Sequence, residues 1–332
     1  MSVADGLTTA ASRRWRPPLL ALLWSLTRRL ARVFLVVWAA ASVGFIALMV
    51  VPGDPVDVML GVQAQVSDSV REQIRADWGL DQPPVIQYLE YMSRLFQGDL
   101  GQSYQLRAPV TDVLAQQIGP TLQLSAAAVL LAAVMAALGA VFGRGKTIKR
   151  LISLVELVVI SSPTFWIGLL LLAVFAFRLD WFPVLSSAGL ASLVLPALTL
   201  ALPVAGITSQ VLRQGLDFAE GQPFATTAKS RGITPARLVS RHTLRHAAMD
   251  TLTLSGFLLG SLLGGTVLVE TVFARPGLGQ VAIRAIIGRD LPVILGVIVL
   301  SAFVFAVINL AVDVSYRALD PRLRASKMAK QA

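Results

Sequence analysis

The chain has 332 residues, 55% of them hydrophobic and 14% charged, with a mean hydropathy of +0.69 and a formal charge of +10. A soluble domain carries about a quarter charged residues, so this composition excludes an ordinary soluble protein and indicates a chain that crosses a bilayer several times. There is no cysteine, which excludes disulfides, thiolate metal sites and a cysteine nucleophile.

In chain order, residues 1–29 read as a basic cytoplasmic tail. Arg28, Arg29 and Arg32 then anchor an uncleaved first helix, because Pro-Gly-Asp-Pro follows the apolar run where a signal peptide would show a small-residue cleavage site. Six segments supply the roughly 20 apolar residues of a membrane span: 33–51, 121–142, 151–177, 191–212, 252–273 and 291–314. Of the 29 Lys and Arg, 21 fall on one side of this frame and eight on the other. The positive-inside rule therefore places both termini and the connection 214–250, with Arg213 at its edge, in the cytoplasm, and the loop 52–119 outside.

That outer loop is too long for a bare connection. Ser67 is a plausible N-cap ahead of Val70, Ile74 and Trp78 at helical spacing, with Gly79 as a stop. Pro84 opens a second amphipathic run through Ile86, Leu89, Met92 and Phe96, ended by Gly98. The loop is expected to be a small helical cap that packs on helix ends or offers a docking surface. In the third span, Pro163 predicts a kink, with Ser161, Ser162 and Thr164 available to the freed backbone groups. In the fifth, Gly256, Gly260 and Gly264 recur on one face and predict close helix packing. Glu156, Glu270 and Asp313 are the ionisable residues within spans. Glu156 and Asp313 read as close to the inner interface, and Glu156 keeps an ion-coupled mechanism open.

The connection "FATTAKSRGITPARLVSRHTLRHAA" (224–248) reads as helix, turn, helix. Phe224–Arg231 forms the first helix, Gly232 suits a left-handed end, Thr234 is an N-cap and Pro235 takes the first helical position. It lacks the large apolar face of a lipid-bound helix. Its small residues Ala225, Thr226, Thr227 and Ala228 permit close approach by another protein; a solvated basic linker is the plainer alternative. No catalytic motif is present: "GRGKT" at 143–147 lacks the first glycine of a P-loop.

The segment resembles the cytoplasmic coupling loop of ABC importer permeases of the dipeptide/oligopeptide/nickel family, with Phe224, Ala228, Lys229, Arg231, Gly232, His242, Arg245 and Ala247 at matching positions. "VPGDP" (51–55), "WGLDQP" (78–83), "GDLGQSY" (98–104), "PTFWIGLLLL" (163–172), "ETVFARPGLGQ" (270–280), "RDLPVILG" (289–296) and "YRALDPRLR" (316–324) extend the resemblance over 28–324. Two departures stand out: His246 where the family has Asn, and Asp250 where Pro is common.

The resemblance implies an all-α polytopic membrane protein with the six-helix type I ABC importer permease fold, of the first-permease type, in a bacterial inner membrane. The cap would occupy 52–119 between helices 1 and 2, the core 120–315 and a cytoplasmic tail 316–332. It implies a non-catalytic subunit that pairs with a second homologous permease. Two cytoplasmic ATPase subunits or domains would hold ATP and magnesium, and an extracytoplasmic binding protein would deliver substrate. The coupling loop (Ala225 among its residues) would meet the ATPase, and Asp320, Pro321 and Arg322 would form a second inner contact. Pro52, Gly53, Asp54, Pro55, Gly98, Asp99, Glu270, Phe273, Pro276, Gly277 and Asp290 would form a gate and binding-protein contact, and Ser162 and Pro163 would shape the pathway. Di- and oligopeptides are the expected substrates, with nickel, glutathione, haem or oligosaccharide as alternatives. An ion-gradient-driven secondary transporter is the rival class.

Overall fold

The computed structural model describes residues 19–50, 53–60, 67–143, 145–183, 189–239 and 264–319, with isolated positions between 243 and 262. The ordered elements among these are helical. Four helices are long and apolar enough to span a membrane: 27–50 within α1 (Leu19–Val50), α5 (Val110–Phe142), α8 (Ala191–Glu220), and 291–312 within α13 (Leu291–Leu319). The expected fifth span, 252–273, lies mostly outside the described residues; its far end is helix α11 (264–272).

The centre of the bundle is the α5–α8 pair. On α5, Leu124, Ala128, Ala132, Ala136 and Ala140 recur every four residues and are all buried. On α8, Ala197, Ala201, Ala205 and Ser209 do the same. Lipid gives no hydrophobic drive for helices to associate, so a stripe of small side chains is what lets the two backbones approach. This alanine seam holds the described core together. Of the expected glycine stripe, Gly256 and Gly260 lie outside the described residues, and Gly264 has nothing within 4 Å of where a Cβ would stand.

The expected single kinked third span is instead two helices, α6 (Lys146–Ser161) and α7 (Thr164–Leu171), bent by 109°. A π-helical turn over Leu172–Arg178 continues α7. Pro163 forces the residue before it out of the helical region, and Ser162 is extended (φ −87°, ψ 139°). The Ser162 hydroxyl donates to the Val158 carbonyl at 2.7 Å, satisfying one acceptor left free at the helix end. Both arms rest on α8.

The cap contains α2 (Pro55–Leu60), α3 (Asp68–Asp77) and α4 (Pro84–Phe96). Gly79 (φ +63°) and Gly98 (φ +79°) follow α3 and α4, as the sequence predicts. Ser67 precedes α3, but its hydroxyl meets that of Ser69 at 2.9 Å rather than capping a backbone N–H. At the other end of the bundle, α8 turns at Gly221 into α9 (Pro223–Ser230) and α10 (Pro235–Leu238). Returning to the cap side, α12 (Leu278–Ile287) follows α11 and packs on α13 and α5.

Candidate functional site

Two of the expected gate residues, Glu270 and Asp290, are buried carboxylates on the cap side, and each is the centre of a cluster. Glu270, near the end of α11, is 0% exposed. One oxygen accepts from the Thr121 hydroxyl (2.6 Å); the other accepts from the backbone N–H groups of Gly279 (2.7 Å) and Gln280 (3.4 Å). The same Thr121 hydroxyl accepts from the N–H of Leu278 at 2.9 Å. The first N–H groups of α12, orphans of any helix start, are thus satisfied by a carboxylate nine residues upstream and a hydroxyl on α5. A Cβ on Gly277 would fall on that carboxylate, and one on Gly279 would fall on the Cα of Val267. This accounts physically for the Glu…Pro-Gly-Leu-Gly spacing.

Between these points the turn after α11 passes through Ala274, a non-glycine residue at φ +47°, while the Arg275 N–H closes the turn on the Glu270 carbonyl at 2.8 Å. Phe273 is buried against Gly168 of α7. Glu270 and Phe273, expected at a gate and binding-protein contact, are buried and hold the loop from inside, and the loop's exposed corners are Ala274 and Pro276.

Asp290 is the second buried carboxylate. It accepts from the Ser103 hydroxyl and from the N–H groups of Tyr104 (3.1 Å) and Gln105 (3.3 Å), pinning the 98–109 turn to the start of α13. Gln105 closes the contact by donating to the Gly288 carbonyl at 2.7 Å. Burial pushes the Tyr104 phenol up to about 12, with Asp290 adding to the effect. Asp290 too is buried and holds backbone in position. Asp290→Ala is expected to strand these donors at about 1–3 kcal/mol and to release the turn. Trypsin cleavage at exposed Arg107 should then accelerate, and an unchanged rate would count against the anchor.

Asp54 accepts from the Val56 N–H at 3.0 Å and pairs with Arg75 of α3. Burial alone would raise its carboxyl, but the Val56 N–H and the Arg75 guanidinium outweigh burial and hold it below its ordinary value. Gly53 (φ +138°) lies against the Arg289 guanidinium, and Pro55 opens α2. The Asp99 carboxylate accepts from the Gly101 N–H at 2.8 Å. Pro52 lies outside the described residues.

At the opposite end, α9 and α10 form a helical hairpin. Gly232 has φ +77°, and the Ile233 N–H returns to the Ala228 carbonyl at 3.2 Å, the left-handed end that the sequence indicates. Ala225 and Ala228 are buried against Leu238 and Ile233. They form the inside of the hairpin, so the expected approach of another protein over these two alanines is corrected. The outward face carries Phe224, Thr226, Thr227, Lys229, Ser230 and Arg231. His242, Arg245, Asp320, Pro321 and Arg322 lie outside the described residues.

Sequence reasoning missed Arg213, which it counted as a solvent-side basic residue. Arg213 is 6% exposed and Glu156 7% exposed. The guanidinium of Arg213 engages both oxygens of Glu156, one at 2.8 Å, and donates to Ser209 Oγ (2.9 Å) and the Gly139 carbonyl (3.3 Å). One cluster thereby ties α5, α6 and α8 together just above the hairpin. Arg213 continues the every-fourth-residue stripe Ala201, Ala205, Ser209; that spacing was the available signal. Both Glu156 oxygens are engaged by the Arg213 guanidinium.

A bent, seam-packed helical bundle with a helical hairpin at one end has the type I importer permease fold. The MetNI methionine ABC transporter, solved in inward-facing form, superposes with TM-score 0.53 at 20% identity, over 62% of this chain and 96% of that one. Residues 128–325 match the family of binding-protein-dependent transport system inner membrane components, and 22–125 match the N-terminal module of such membrane components. The chain belongs to this family and is a permease component of an ABC importer. A Brucella abortus (strain 2308) protein, named as a peptide transport system permease, is 34% identical over 314 residues, covering 90% of this chain and 98% of the relative. The glutathione transport system permease GsiC of Escherichia coli K12 is 35% identical over 285 residues, covering 84% and 92%.

Proposed function

We propose that this chain is one of two paired, non-identical permeases of an ATP-driven importer of short peptides, driven through the α9–α10 hairpin. The observation that carries this reading is the hairpin itself. It presents an exposed, small and basic outer face on a rigid alanine-packed inside, at the foot of a 30-residue helix that runs through the core. In this reading the hairpin is cytoplasmic, both termini are on its side, and the cap faces outward. ATP and magnesium bind on partner ATPases, and this chain is not itself catalytic. Closure of the ATPases displaces α9, and α8 transmits the displacement to the α5–α8 seam. A substrate-binding protein docks over the cap and the Ala274–Pro276 corner. The names of the relatives, peptide transport and glutathione transport, support a peptide substrate.

The natural chain has no cysteine, so Thr227→Cys on the outward face of α9 gives a label site free of background. Cross-linking in native membranes is expected to capture an ATPase with a P-loop, with the yield changed by ATP plus vanadate. The reading fails if no protein is captured while uptake of a labelled peptide persists and follows the proton gradient.

A further inference from the structure

The sequence alone assigns Pro84–Phe96 to a cap outside the membrane, yet α4 packs along the shafts of two spanning helices. Its Met92 is buried with Ala41 of α1 and Val299 of α13, while Tyr88, Tyr91 and Leu95 pack around them. Tyr88 hydrogen-bonds Ser42 at 2.7 Å, both tyrosines meet the Phe45 ring, and Phe96 stacks on Phe34 at 5.9 Å. At 1.5 Å rise per residue, Ala41 lies about 13 Å, and Phe34 about 24 Å, along α1 from its cap-side end. Val299 lies about 12 Å along α13 from Leu291. The hydrocarbon core is roughly 30 Å thick, so a helix with these partners lies at bilayer depth.

Helical spacing divides α4 into three sectors. Tyr88, Tyr91, Met92 and Leu95 meet α1 and α13. Gln87, Glu90 and Arg94 line a cavity of about 440 Å³, whose other walls include Arg75, Trp78, Tyr104 and Arg289. The third sector is apolar and uncovered: Val85 is 68% exposed, Leu89 60% and Phe96 67%. Through the Phe34–Phe96 stack this sector is continuous with the exposed apolar surface of α1, where Phe34 and Trp38 are also uncovered.

We infer that α4 is an embedded wall: Val85, Leu89 and, beyond the bilayer midplane, Phe96 face acyl chains, while Gln87, Glu90 and Arg94 face a water-filled vestibule. The occupant of the apolar sector is lipid because the sector continues the exposed apolar surface of the spanning helix α1 through the Phe34–Phe96 stack, and burying three large side chains in hydrocarbon is favourable. The polar sector at the same depth requires water or polar partners, and the mixed-charge cavity beside it supplies them. This inference does not rest on the coupling role of α9.

The test uses the complex purified from native membranes with its neighbours, reconstituted in liposomes. Nitroxide labels are placed singly at Val85→Cys, Leu89→Cys, Gln87→Cys and Glu90→Cys. Val43→Cys, exposed on α1, is the lipid reference, and Asp81→Cys is the water reference. At positions 85 and 89 the ratio of collisions with oxygen to collisions with a neutral nickel chelate should match position 43, severalfold above position 81. At positions 87 and 90 the ratio should fall towards that of position 81. Water-like ratios at 85 and 89 would return α4 to an aqueous cap. Protection from both quenchers at 85 and 89 would mean that a protein subunit covers the face. A lipid-like ratio at 87 and 90 would remove the vestibule. Each of these results overturns the inference, and none depends on whether an ATPase is captured at α9.

Discussion

Arg213→Ala is expected to destabilise the chain by about 3–5 kcal/mol, because it leaves the Glu156 carboxylate buried and unpaired. Both members of the pair are buried, and the low dielectric around them raises that cost. Glu156→Ala should be comparably damaging, since it strands a guanidinium whose remaining acceptors are Ser209 Oγ and the Gly139 carbonyl. The informative variant is the double replacement Glu156→Leu with Arg213→Met. Exchanging a buried ion pair for apolar side chains of similar volume is close to neutral or stabilising, so the melting temperature in detergent should return to near the parent value. If the double variant is as unstable as either single one, the pair is not the source of the cost. Peptide uptake by the double variant then separates two roles. Restored stability with lost uptake would mean that the pair holds α6 and α8 in register for motion. Restored uptake would make it a packing device alone.

The pair also shows where sequence reading reaches and where it stops. Local chemistry was legible. Gly79, Gly98 and Gly232 end helices at positive φ where their neighbours required it, and Pro163 breaks the third apolar run. The size of that break was not legible: a proline predicts interruption, but a 109° turn is decided by what both arms pack against, here α8. Arg213 was misplaced because a guanidinium at the end of an apolar run looks the same in sequence whether it meets water or a carboxylate 57 residues upstream. The same limit applies to Glu270 and Asp290. Their partners lie up to 187 residues away, so motif reading singled out both residues but could not show that their side chains hold backbone in the interior. The cap was read as helical, and it is. Its depth was not readable, because an amphipathic helix with Tyr, Met and Phe suits both a globular cap and a bilayer.

Glu270→Ala is expected to be the most damaging single change on the cap side. It removes the acceptor for the N–H groups of Gly279 and Gln280 and for the Thr121 hydroxyl. Buried donors without partners cost about 1–3 kcal/mol each, so a loss of about 3 kcal/mol or more is expected, and α12 should fray at its start. Glu270→Gln should be milder. Its carbonyl oxygen can still accept from the two N–H groups, while its amide can donate to Thr121 Oγ1 once that hydroxyl rotates away. Gly277→Ala should approach the alanine variant of Glu270 in severity for a steric reason, because its methyl would occupy the space of the carboxylate. The backbone at Gly277 is extended (φ 168°), so alanine brings no conformational strain and the whole effect is overlap. That makes the pair separable. In the combined Gly277→Ala, Glu270→Ala variant the methyl enters space already vacated, and the two losses should sum to clearly less than the singles predict. Interaction terms between touching residues run from about 0.5 to 3 kcal/mol. Melting temperatures of the four proteins measure the coupling directly. Strict additivity would mean that Glu270 and Gly277 act independently, and the capping of this loop by Glu270 would lose its physical basis. A clear interaction term would mean that the turn carrying Ala274 and Pro276 is held in place from below by one buried carboxylate. With a peptide as the proposed substrate, uptake of a labelled peptide should then fall in step with that hold, even in variants that still reach the membrane.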